Sequence, residues 1–374
     1  MSRSALAGAR GLAAAGWTVG VGSPSRGLAP ASRTVARWHH VPAPERGVDA
    51  FVAGLSAAIE DGGYDVVLPS DDGQVLALSQ RRLEIPAVTP YTSHPHVVAA
   101  FDKRRLTEAA AEAGLAVPRT WSSDGPALEQ AAGPFFVKPA VHPNLTRDDA
   151  PSHHPSARAA TAEDARAHAR RIEAAGGTAV VQELIEGVLT AYSVVVDPNR
   201  GVVAEAQQRA HAVWPRDGGI SVRAESVAVD RDLAERARRL LARFEWRGLA
   251  ELQFVEPAHG PPRLIDLNGR LYGSLALAIA AGANLPAAWA AVATGRDVVE
   301  RSTARPGVRY HWLEGDVRLA LGADGSGRGE LVRALRWMPG AAHSVWDLRD
   351  PGPALRYAGL FARRGLMRAA RRLS

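Results

Sequence analysis

The sequence predicts an α/β domain with a parallel sheet, joined to an α+β region built on a separate, mainly antiparallel sheet. Two patterns point there. Over residues 1–96 helical and extended signatures alternate, the order that gives a parallel sheet flanked by helices. From residue 179 onward, short apolar strands follow one another closely with one long helix among them, the order of antiparallel pairing.

Taken in chain order, Ser4–Ala15 is helical in composition and Thr18–Gly22 reads as a strand. Gly20-Val21-Gly22 lacks the third glycine of a dinucleotide fingerprint. Asp49–Glu60 carries apolar residues at helical spacing, Val66–Leu68 reads as a short buried strand before Pro69-Ser70-Asp71-Asp72, and Gly73–Arg82 is helical. A domain of this kind normally opens on a strand, and here a helix comes first. The expectation is that the chain begins upstream of Met1, since a missing first strand leaves a sheet edge exposed. Residues 85–96 form a Pro-rich joint. A helix over Lys103–Ala113 ends at Gly114, with Pro118 just beyond. Pro134–Lys138 is a strand, and residues 140–158 are a long polar loop, a length usually tied to function. Ala162–Ala174 is a helix stopped by Gly176-Gly177. Strands are expected at Ala179–Glu183, Tyr192–Asp197, Val202–Gln207 and Ser221–Val229, then a helix at Asp230–Phe244, then strands at Leu249–Val255 and Arg263–Leu267. The segments expected are 1–96, 97–181, 182–305 and 306–374; the last has no assigned role.

Composition narrows the function classes. The chain of 374 residues has no cysteine, which excludes disulfides, thiolate metal sites and a cysteine nucleophile. No apolar run approaches the roughly 18 residues of a membrane span, and the Ala-rich amino terminus lacks a signal-peptide pattern. The expectation is a cytoplasmic protein. The net charge of +6 sits in residues 354–374, which hold Arg356, Arg363, Arg364, Arg368, Arg371 and Arg372 and no acid. The remainder is balanced, so the basic pI is no argument for nucleic acid. Interleaved with Leu360, Phe361, Leu366 and Met367, this tail is a candidate contact with a membrane surface or a partner; a plain docked terminal helix explains it equally.

Of 45 basic side chains only Lys103 and Lys138 are lysine. Lysine is a compact point charge and arginine a planar fork. Two isolated lysines in an arginine-rich chain are either ordinary surface residues or a tight contact with polyphosphate oxygens. The sharpest local pattern is Asp266-Leu267-Asn268-Gly269-Arg270, preceded by Glu251-Leu252-Gln253-Phe254. Residues two apart in a strand share a face, so Asp266, Asn268 and Arg270 point one way, and Glu251 and Gln253 do so on a neighbouring strand. Together they offer hard oxygen donors suited to Mg²⁺ and a cation for a transferred phosphoryl group.

Phe101-Asp102-Lys103, Phe136-Val137-Lys138-Pro139, Val181–Gly187, Leu252-Gln253-Phe254 and Asp266–Arg270 occur in the order of the ATP-grasp superfamily motifs. The chain resembles its carboxylate–amine ligase branch, whose core is similar to the large chain of carbamoyl-phosphate synthase. The resemblance covers about residues 1–300. It implies a Rossmann-like pre-ATP-grasp domain followed by a two-subdomain ATP-grasp fold. It also implies that Lys103 and Lys138 touch phosphate, and that Gln182, Glu183, Leu184, Ile185 and Glu186 form the hinge that meets adenine. Gln253, Asp266 and Asn268 would hold one or two Mg²⁺, with Mn²⁺ as an alternative, and Arg270 would steady the transferred phosphoryl group. The reaction implied is phosphorylation of a small-molecule carboxylate by ATP, then displacement of phosphate by an amine; a homodimer is a further expectation. The alternatives are an ATP-binding protein with a degenerate catalytic site and a carboxylase-like enzyme.

This sequence departs from the family pattern at Asp266, where glutamate is usual, and at the region of Thr190 and Ala191, where an acid for ribose is usual. Arg209, Arg216 and Arg223 are candidates for a substrate carboxylate, and Asp71-Asp72 for the amine or a helix cap. Candidate lids are residues 140–158, with His142, His153 and His154, and the Val213–Ser221 segment with Gly218-Gly219.

Overall fold

The computed structural model describes residues 2–91, 93–141, 156–216, 218–296, 301–322 and 327–359. Most of the 140–158 loop, with its three histidines, and most of the basic tail lie outside the described residues.

Ser2 caps the first helix, Arg3–Ala14, by accepting from the Ala5 amide. The helix buries Leu6, Ala7 and Ala9. Strand Gly20–Ser23 then pairs in parallel with Arg37–His40, a strand that lacks apolar alternation and was not expected. Helix Val48–Gly62 closes at Gly63, whose left-handed backbone (φ 63°) suits glycine. The strand expected at Val66–Leu68 is reduced to one parallel bridge between Val66 and Val88. Pro69 stops the ladder there because it has no N–H to donate; its carbonyl instead accepts from the Leu271 amide at 3.0 Å. Asp71 then caps helix Asp72–Gln80.

Two helices, His94–Phe101 and Lys103–Glu112, meet at Asp102, which closes the first and caps the second by accepting from the Arg104 and Arg105 amides. This cap places Lys103 in the first turn of its helix. Beyond it lies an antiparallel sheet in the order Thr120–Trp121, Ala179–Glu183, Phe135–Pro139, Ala157–Ala159. Helix Ala162–Ala174 covers one face, with Ala165, Ala169 and Ile172 packed on Phe135, Val137 and Val181.

The second sheet has eight strands. Its main path runs Arg263–Asn268, Gly248–Glu256, Val188–Asp197, Gly201–Trp214, Ile220–Val227, Arg309–His311 and Ala342–His343, with Ser302–Thr303 parallel to Gly201–Trp214. Helix Arg231–Arg243 buries Leu233, Ala237, Leu240 and Leu241 in its core. The segment after residue 306 thus supplies two strands to this sheet. The Val213–Ser221 segment is largely a hairpin, because Val213 pairs with Ser221 and Trp214 with Ile220; the looser lid expected there shrinks to the turn between them. The segment that leads into the small sheet is tied to the large one where Ala116 bridges Arg263 and its carbonyl accepts from the Leu264 amide at 2.9 Å.

Candidate active site

Strand alternation in Phe135–Pro139 sends Phe135 and Val137 into the small core and leaves Phe136 and Lys138 on the cleft side. Lys138 is buried and its Nζ donates to the Ile265 carbonyl at 2.7 Å. Burial pushes its ammonium down to about 8, against the pull of Asp266. Lys103 Nζ lies 2.8 Å from Asp266 Oδ1. Burial raises the Asp266 carboxyl, but Lys103 and Lys138 outweigh it and hold the group below the ordinary carboxylate range.

The register of edge strand Arg263–Asn268 on its neighbour Gly248–Glu256 sets Gln253 opposite Asp266 and Glu251 opposite Asn268, so the residues expected to share a face do so. Glu251 Oε2 accepts from Gln253 Nε2 at 3.2 Å and Asn268 Nδ2 at 2.9 Å. Both amide groups are thereby turned with their oxygens away from Glu251. Burial pushes Glu251 up to about 7, against Arg270 and the two amide donors. Arg270 lies past the strand end, yet its Nη2 returns to Asn268 Oδ1 at 3.0 Å. Its Nε donates to Asp72 Oδ1 at 2.7 Å. Of the two candidate acids, then, Asp71 is the helix cap and Asp72 reaches the cleft.

Lys103, Lys138, Gln253, Asp266, Asn268 and Arg270 line one cleft of about 420 Å³. Among the described residues no group of three or more His, Asp or Glu side chains is placed to hold a metal. At the strand pair the cleft instead sets the carboxylates of Glu251 and Asp266 beside the carboxamides of Gln253 and Asn268, a hard-oxygen set that fits Mg²⁺ when phosphate and water complete its shell. A second cavity, of about 360 Å³, lies among the N-terminal elements and is lined by Val19, Val21, Phe51, Leu55, Val66 and Leu68, with His39, Tyr64, Asp71 and Gln74 among its polar members. It is mainly apolar and neither lysine nor any arginine lines it, whereas the first brings the lysines, Arg270 and the carboxylates together.

The hinge residues are not in the cleft. Gln182 is buried and donates to Thr120 Oγ1 at 3.0 Å. Glu183 accepts from the Arg119 amide and Nε and pairs with Arg263. Its carboxylate is a strut between the two sheets. The Glu183 and Leu184 amides donate to the Arg119 and Pro134 carbonyls, Ile185 is half-buried and Glu186 is exposed. The three arginine candidates are also engaged elsewhere. Arg209 pairs with Glu256 at 2.8 Å and Arg216 with Glu330 at 2.9 Å, while Arg223 is buried between Asp316 and Glu330. None of the three lines the cleft. Sequence reading missed Tyr272 and Ser274, which extend the two-residue spacing of Asp266, Asn268 and Arg270 along the cleft wall. It also missed Arg3, Gln208 and Phe136 as cleft residues.

Two α+β sheets meeting at a hinge, with paired lysines on one side and a carboxylate–carboxamide strand pair on the other, define an ATP-grasp fold. Residues 181–316 match the family model described as ATP-grasp in the biosynthetic pathway with Ter operon. The crystal structure of a biotin carboxylase–β,γ-ATP complex from Campylobacter jejuni is similar at a TM-score of 0.64 and 15% identity, over 82% of this chain and 72% of that one. The biotin carboxylase domain dimer of Hydrogenobacter thermophilus 2-oxoglutarate carboxylase, in complex with MgADP, ADP and bicarbonate, gives 0.65 and 11% over 82% and 71%. L-amino acid ligase from Bacillus licheniformis gives 0.57 and 14% over 77% and 70%. No curated protein matches the chain by sequence. The ATP-grasp resemblance read from the motifs is borne out. Among the described residues no helix is long and apolar enough to cross a membrane.

Proposed function

We propose that this protein is an ATP-dependent ligase that activates a carboxylate as an acyl phosphate for attack by an amine. The observation that carries this reading is the convergence of Lys103, Lys138, Gln253, Asp266, Asn268 and Arg270 on one cleft. Lys103 and Lys138 would bind phosphate oxygens of ATP, and adenine would lie beyond the cleft proper, against the backbone of residues 185 and 186, since the Glu183 and Leu184 amides are already bonded. Gln253, Asp266 and Asn268 would hold Mg²⁺, which supplies charge neutralisation at the phosphates. A carboxylate oxygen attacks the γ-phosphorus and ADP leaves; the amine nitrogen then attacks the acyl carbon, phosphate leaves and the amine loses a proton to solvent. Phosphoryl transfer needs positioning and charge more than a protein nucleophile, and Arg270 would steady the moving phosphoryl group. Solved structures of this fold include complexes with ATP, with MgADP and with bicarbonate, and they support the cofactor assignment. Bicarbonate in place of an organic acid is the second reading, favoured by the two carboxylase structures. The test is phosphate release with ATP and Mg²⁺ across a panel of carboxylates, bicarbonate included, each paired with amines. Release that depends on one pairing is expected. No release with any pairing, in protein that binds ADP, sinks the proposal.

A further inference from the structure

Arg3 opens the first helix and its side chain lines the cleft. Its guanidinium carbon lies 3.7 Å from the ring centroid of Trp312. Its Nη1 donates to the Tyr310 hydroxyl at 2.9 Å, and that hydroxyl donates onward to the Gly273 carbonyl at 3.0 Å. Tyr310 and Trp312 are both buried, so the guanidinium rests on a fixed aromatic platform. Gly273 leaves room beside it, since a Cβ there would stand 3.3 Å from Arg3 Nη2.

The other cleft cations are committed: Lys103 and Lys138 flank Asp266, and Arg270 is bound to Asp72. Among the described residues Arg3 is paired with no carboxylate. A guanidinium stacked on one face, with part of its fork unpaired at the rim of a cleft, matches a planar carboxylate in shape and charge. Its place is also defined: it lines the same cleft as Lys103 and Asp266 and stands beside Gly273, past the end of strand Arg263–Asn268.

We propose that Arg3, set by Trp312 and Tyr310, binds a substrate carboxylate that is not itself phosphorylated. The ligand is then a dicarboxylic acid or an amino acid whose own carboxylate is held while its amine reacts. This inference rests on the ligase reading and narrows its substrate class.

The experiment uses the full chain with saturating ADP and Mg²⁺, titrated calorimetrically with succinate against butyrate, and with alanine against ethylamine. The carboxylate-bearing member of one pair is expected to bind at least about tenfold more tightly than its partner. A preference in the first pair identifies a dicarboxylate, and one in the second an amino acid. Arg3→Met is expected to abolish that preference, and Tyr310→Phe, which keeps the ring but removes the hydroxyl that receives Nη1, to reduce it several-fold. ADP affinity is expected to stay within about twofold in both variants. An unchanged preference in Arg3→Met, or no preference in either pair for the wild-type protein, overturns the inference. Loss of ADP binding by the wild-type protein overturns the ligase reading instead, so the two failures are distinct.

Discussion

Lys103 Nζ and Asp266 Oδ1 stand 2.8 Å apart, so the sole carboxylate of strand Arg263–Asn268 is already matched to a cation. A divalent ion that arrives without nucleotide must compete with that ammonium. Lys103→Met is therefore expected to raise the affinity for Mg²⁺ alone by about 3- to 10-fold and to weaken ADP binding by at least about tenfold. Calorimetry with each ligand separately checks both signs. Equal Mg²⁺ affinity in the two proteins would show that the pair does not guard the site.

Lys138→Arg places a planar fork where a point charge is buried against the Ile265 carbonyl. The expected outcome is a lower melting temperature and phosphate release reduced by about 100-fold or more, because the guanidinium neither fits the space nor reaches the same oxygen. Full turnover in this variant would make the compactness of lysine irrelevant.

The Lys138 ammonium, pushed down to about 8 from its ordinary value, gives nucleotide binding a proton signature. Phosphate beside it favours the charged form, so binding takes up a proton wherever the free protein has lost one. Uptake is about three-quarters of a proton at about pH 8.5 and nearly vanishes at about pH 6.5, where the group is already charged. Titration of ADP in buffers of different ionisation enthalpy measures it; uptake independent of pH would exclude Lys138 as the source.

Burial raises the Asp71 carboxyl to about 6, against the Gln74 amide that donates to it and with help from Glu45 and Asp72. The folded state therefore keeps this proton longer than the unfolded chain does. Its contribution is full below the ordinary carboxylate range and is lost as pH rises through about 6. Asp71→Asn keeps a good helix cap and removes the charge. It is expected to stabilise the protein by about 1–2 kcal/mol at neutral pH, and the two stability curves should converge in acid. Chemical denaturation at a series of pH values tests this, and a variant destabilised at neutral pH contradicts it.

Gly187 follows the hinge, and a Cβ there would lie 2.2 Å from the Glu256 carbonyl oxygen. Backbone cannot yield as a flexible side chain does, so Gly187→Ala is expected to cost about 1–3 kcal/mol. ADP affinity should fall with it if the hinge backbone meets adenine. Unchanged stability by thermal denaturation would mean the two strands separate freely.

Much of the large sheet was legible because its strands are apolar and β-branched over runs such as Val188–Asp197, and because Asp230 announces the helix that follows. The cleft wall was legible for a simpler reason: two-residue spacing fixes which of Asp266, Asn268 and Arg270 share a face, whatever the strand pairs with. Arg37–His40 was not, since Arg-Trp-His-His carries no apolar alternation and its partner is a single strand, Gly20–Ser23. The misplaced arginines show a different limit. Arg209, Arg216 and Arg223 looked available because their partners Glu256 and Glu330 are distant in sequence. Charge pairing of this sort is settled by folding alone. Arg3 was illegible for the same reason, with its platform 307 residues or more away.

That separation bears on synthesis. A ribosome that has made everything through Ser274 has produced the lysines, the carboxylates and Arg270, but Arg3 still has nothing to rest on. The aromatic platform emerges with Tyr310 and Trp312, and the edge strand that braces it ends only at His343. A nascent chain therefore carries Lys103, Lys138 and Arg270 well before Arg3 has its platform, and a chain cut short before Arg309 has the first without the second.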